Sequence, residues 1–163
     1  MSMHKGLMEI DKILRGDSDL WKLLYYKSEN VLDDPLDNPD LFDLDPLKLS
    51  NIIRHRLKYT PSIDDLDDDR ICRIILSPSN RRAQGGNYFV ADQDVDIEVF
   101  THRDYNDADM RLSKLCDRVN KLISDKHIAG MGKMIFVGGR PFTVSEKGYV
   151  GYTMTYRFGS GNA

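Results

Sequence analysis

Asp94-Val-Asp-Ile-Glu-Val-Phe100 alternates acidic and apolar residues up to its closing phenylalanine. Side chains of an extended segment point to opposite faces in turn, so Val95, Ile97 and Val99 share one face and Asp94, Asp96 and Glu98 the other. The first face is expected in a core and the second on an acidic surface. Upstream, Ile71-Cys-Arg-Ile-Ile-Leu76 is rich in β-branched residues and bounded by acid and by Ser77-Pro78, which predicts a strand buried on both faces. Between the two strands, Ser77-Pro-Ser-Asn-Arg-Arg-Ala-Gln-Gly-Gly86 has turn chemistry throughout. It predicts a mobile hairpin loop carrying Arg81, Arg82 and Gln84 before a strand from Tyr88 to Thr101.

Downstream, Asn106 is placed to cap a helix whose first turn holds Asp107 and Asp109. Ala108, Leu112, Leu115, Val119 and Leu122 form its apolar stripe through Ile123, leaving Arg111, Lys114, Asp117, Arg118 and Lys121 for solvent. Lys133 to Val137 predicts a strand, Gly138-Gly139 a tight turn, and Phe142 to Ser145 the antiparallel return. In the last strand Val150, Tyr152, Met154, Tyr156 and Phe158 face inward, with Gly151, Thr153, Thr155 and Arg157 outward. The expected class is α+β, an antiparallel four- to five-stranded twisted sheet with helices packed on one face.

Before the sheet, apolar residues from Leu7 to Leu24 recur at helical spacing, broken at Gly16-Asp17-Ser18, with Ser18 placed to cap the second helix. From Asp33 to Pro46 three prolines and six Asp exclude a regular helix or central strand, so a surface excursion anchored by Leu36, Leu41 and Phe42 is expected. Pro46 then opens a short helix to about Leu57, docked by Ile52, Ile53 and Leu57. At 163 residues the chain fits one domain. Residues 1–32 would supply N-terminal helices, 33–69 an acidic insertion, 70–159 the sheet-and-helix core and 160–163 a tail.

The net charge of -3 hides an asymmetry: residues 33–69 hold eleven Asp against four Lys and Arg, so no basic nucleic-acid-gripping face is expected. Cys72 and Cys116 lack any metal-ligand or redox spacing and read as small hydrophobes. The start of the chain has no apolar run fit for a signal peptide, and no stretch is long and apolar enough to span a membrane. Synthesis and folding in a reducing cytoplasm are expected.

Asp94, Asp96 and Glu98 invite comparison with a metal nuclease, since carboxylates on one strand face can hold Mg²⁺. No Glu-x-Lys follows the strand, so a solvated acidic face, relieved by Arg70, Arg73 or Arg157, is the favoured reading. The run Asp64 to Asp69 lacks the glycine and distal glutamate of a calcium loop. His102 lies at a strand end without an identifiable nucleophile, and the glycine pairs do not form a phosphate cradle. No catalytic residue, metal or cofactor is assigned.

From Arg70 to Phe158 the order of strand, long loop, Val95-Asp-Ile-Glu-Val-Phe100, turn, helix and closing strands ending in Tyr152-Thr-Met-Thr-Tyr-Arg-Phe158 resembles the tail terminator, tail completion and head-tail joining proteins of long-tailed bacteriophages. The resemblance implies a non-enzymatic virion protein at the head-tail junction, made in the host cytoplasm. It also implies a ring of copies, expected to be a hexamer, that contacts tail tube protein and head-side connectors and lets DNA pass without specific binding. On that expectation Asp94, Asp96 and Glu98 are candidate lumen-facing residues, and Arg81, Arg82 and Gln84 a candidate subunit-interface loop facing the acidic insertion. Another connector or minor tail protein, a metal-dependent nuclease and a small host-directed adaptor are the alternatives.

Overall fold

The computed structural model describes residues 2–66, 69–85 and 87–161, without the side chains of 87–90, 131, 160 and 161. Asp67 and Asp68 of the acidic run, Gly86 of the expected Gly85-Gly86 turn, and the final two residues of the expected tail lie outside the described residues.

Two helices open the chain, α1 (Met3–Arg15) and α2 (Ser18–Tyr25). Ser18 begins α2 rather than capping it; the Asp17 carboxylate accepts the Leu20 amide at 2.9 Å. In the proline-punctuated stretch only single 3₁₀ turns form, Pro35–Asp37 and Leu41–Asp43, before α3 (Pro46–Arg56). Asp34, Asp40 and Asp45 each accept a backbone amide at the start of these pieces, so part of the acid serves its own backbone. Leu41 is fully buried and anchors the excursion, whereas Leu36 and Phe42 remain exposed.

Strands β1 (Leu57–Lys58), β2 (Cys72–Gln84), β3 (Asn87–His102), β4 (Met131–Val144) and β5 (Tyr149–Gly161) form one sheet in the order β1-β2-β3-β5-β4. The fold is α+β. All pairings are antiparallel except that of β1 with β2, which makes the sheet mixed. Between β3 and β4 lie α4 (Arg103–Asp109) and α5 (Arg111–Ile123). Cys72, Ile74, Val95, Ile97, Met154 and Tyr156 on one sheet face join Leu14, Trp21, Leu115 and Val119 from the helices in the main core. The other face is open over its centre. At one end it is covered by Ile63 and Leu66, which pack on Ile75, Phe100 and Tyr149.

Three further local expectations give way to the structure. The segment Ser77–Gln84 is not a mobile loop but the outer part of β2, paired with β3 through Arg81 to Gln93, Arg82 to Asp92 and Ala83 to Ala91. Repeated polar and glycine residues signal a turn locally, yet cross-strand pairing carries the hairpin further out. Gly138-Gly139 is not a turn either: β4 runs straight through with an irregularity at Val137. A Cβ on Gly139 would lie 2.5 Å from the Tyr152 ring on β5, so this glycine answers a close approach. The reversal comes at Ser145–Lys147 and Gly148, where φ is 76°.

The third concerns the expected single helix after Asn106. It breaks at Met110, whose backbone is left-handed with φ 56°. Asn106 still caps, but from inside α4, its side-chain oxygen accepting the Leu112 amide at 3.1 Å. Arg111, expected in solvent, is fully buried beside buried Asp109 at 3.0 Å and donates to the carbonyl oxygen of Leu23. The break turns this arginine inward.

Candidate functional site

The open face of the sheet presents the three acidic side chains of β3 in a row, because residues two apart on a strand share a face. They do not share an environment. Asp94 is buried and held by Arg157 of the adjacent strand through two hydrogen bonds, at 2.7 and 3.2 Å. That contact also raises the pKa of the Arg157 guanidinium. Asp96 is half-buried and accepts the Thr155 hydroxyl at 2.6 Å. Glu98, also half-buried, has its carboxyl pKa raised by burial and then by the neighbouring Asp96 charge.

Of the three arginines expected to relieve this face, only Arg157 does so. Arg73 turns to the insertion and grips Asp65 with two bonds of 2.8 Å, holding that carboxyl down at about 2. Arg70 pairs with Asp104 at 3.0 Å. The centre of the open face therefore carries Asp96 and Glu98 flanked by threonines, with exposed Arg140 of β4 in the same cross-strand row as Glu98 and Thr153. Among the described residues no group of three or more His, Cys, Asp and Glu side chains is gathered as a metal ion would require.

Arg81, Arg82 and Gln84 are exposed on the outer β2–β3 hairpin. Arg81 donates to the Gln93 side chain at 3.3 Å and Gln84 to Asp92 at 2.8 Å, so two of the three lie along the hairpin itself. Buried Gln93 in turn donates to the carbonyl oxygens of Asp94 and Ser79, tying the hairpin to the acidic strand. The candidate lumen and interface residues thus belong to one continuous pair of strands.

His102 has a local role: its Nδ1 accepts the Asp104 amide at 3.2 Å and caps α4, and burial lowers its pKa. His55, isolated in sequence, meets Asp69 at 3.0 Å. Cys72 is fully buried and Cys116 half-buried, and burial pushes both thiols up to about 12. A surface concavity of about 670 Å³ lies beside α3 and β1 and is bordered by none of the candidate residues. Among the described residues no helix is long and apolar enough to cross a membrane.

One feature escaped the sequence reading. Ile135, Phe136 and Val137, expected simply as strand, lie exposed on β4, the edge strand. Three successive apolar residues without alternation beside a glycine pair were the available signal.

Over almost its whole length the fold has a counterpart in a solved structure titled "Virion of native gene transfer agent (GTA) particle". The match has TM-score 0.61 and 10% identity, and covers 96% of this chain and 94% of that one. In sequence, the chain is 31% identical to the SPbeta prophage-derived protein YomW of Bacillus subtilis (strain 168), over 98% of its own length and 99% of the relative's. The YomW family model matches residues 17–158, spanning both the helical start and the sheet, and the chain belongs to the YomW family.

Proposed function

We propose that this protein is a structural component of a phage virion at the head-tail junction, of the tail terminator or tail completion type. Copies close into a ring, expected to be a hexamer, over the end of the tail tube. The ring contacts tail tube protein on one side and connector proteins on the other, and DNA passes through without catalysis. The observation that carries this reading is the agreement in fold, over nearly the whole chain, with a protein of a virion particle. The prophage origin of YomW supports the same class.

The open sheet face is compatible with a DNA passage. Every phosphate neutralised by a protein cation strengthens binding through counterion release, so a lining through which DNA must slide should not be basic. Asp96 and Glu98 beside Thr153 and Thr155 supply acid to such a lining and offset Arg140, which lies in the same row. Electron microscopy of the purified protein, alone and mixed with tail tubes, tests the reading. Rings seated at one end of the tubes are expected, and single copies that ignore the tubes would sink it. Magnesium-dependent DNA cleavage abolished by Asp96→Ala would reveal a nuclease instead.

A further inference from the structure

The sheet has two open edges, and one row of residues joins them. Ser79 and Asn80 of β2 lie opposite Asp94, Asp94 pairs with Arg157, and Arg157 with Ile135 of β4. The edges are therefore level with each other at the same end of the sheet. On the β4 side Ile135, Phe136 and Val137 are 59%, 46% and 45% exposed. Met134 is bonded outward to the Asp125–Lys126 turn, and beyond it no described strand lies outside β4. On the β2 side β1 covers only Ile74 and Ile75, so Ser79 to Gln84 have no described strand outside them. Each edge carries one proline, Pro78 or Pro141, which cannot donate to a further strand. The intervals Ser79–Gln84 and Ile135–Arg140 carry none.

An edge strand with open backbone groups and apolar side chains is a template for another strand. We propose that the β4 edge around Ile135–Val137 pairs with the Ser79–Gln84 edge of a second copy of this chain. The proposal rests on the ring reading, because a ring requires two different surfaces of each subunit to meet. Strand direction allows it. β2 and β5 run one way and β3 and β4 the other, so copies related by rotation about an axis along the strands bring β4 against the next β2 antiparallel. The sheets then continue from copy to copy. Helices cover one face only, so they occupy the wider outer perimeter and turn Asp96, Glu98, Thr153 and Thr155 to the centre.

Ile135→Lys combined with Val137→Lys sets like charge against Arg81 and Arg82 of the neighbour. It should shift assembly to a roughly hundredfold higher protein concentration. Adding Arg81→Glu and Arg82→Glu to the same chain should restore assembly, which a folding defect would not allow. Sedimentation or native mass spectrometry reads both, with thermal melting as a check on folding. If the lysine variant still forms rings like the wild type, the seam is overturned and the ring reading stands. Single copies without rescue by the glutamates would overturn the choice of partner edge. A wild-type protein that stays single or stops at two-fold dimers would overturn both readings, whereas wild-type rings that ignore tail tubes, with loss and rescue as expected, would support the seam and sink the tail terminator assignment.

Discussion

Two arginines that face inward illustrate what single residues contribute. Arg73 holds the Asp65 carboxyl at about 2, below its ordinary value of 3.8, and thereby fastens the insertion over the sheet. A folded-state pKa below the unfolded one adds stability that is complete above about pH 4 and disappears as the pH falls toward the folded value. Asp65→Asn should therefore unfold more easily than wild type at pH 7, with the gap closing as the pH approaches 2. The side chain of Asp65 is 52% exposed, so solvent screening keeps the difference within about 1 kcal/mol. Arg111 is another matter. Both it and Asp109 are fully buried, and Arg111→Ala would leave the Asp109 carboxylate with only Lys114 at 3.5 Å and strip the Leu23 carbonyl group of its donor, costing about 3 kcal/mol in urea unfolding.

The elements show where local pattern suffices and where it fails. Strands β3 and β5 were legible because one face is buried and one open, which imposes alternation on Val95 to Val99 and Tyr152 to Phe158. The apolar stripe of α5 was legible for the same reason. Its start was not, since a charged residue at 111 reads as surface until the left-handed Met110 and the carbonyl groups of α2 and its following turn are seen to receive it. Gly139 misled because a glycine needed for the Tyr152 ring looks the same in sequence as one needed for a turn. In the candidate site, the acidic row was legible and the bond of Asp94 to Arg157 was among the expected options, but the sharp difference among the three carboxylates depends on register. Asn106→Ala removes the cap of α5 and should cost about 0.5–2 kcal/mol, measured by thermal or urea unfolding.

For the whole molecule, charge placement sets the behaviour expected toward DNA. Assembled protein should retain duplex DNA poorly at moderate salt in a filter or gel assay. Converting Asp96 and Glu98 to Lys should produce binding that weakens steeply as salt rises. Tight, salt-sensitive binding by the wild type would contradict a slippery passage. The full burial of Cys72 and partial burial of Cys116 have a practical consequence here. Burial pushes both native thiols up to about 12, so a cysteine introduced on the surface should react with maleimide probes faster at neutral pH than Cys72 or Cys116. The natural sequence thus gives a low background for spin labels or fluorophores that would report the spacing between copies in the proposed ring.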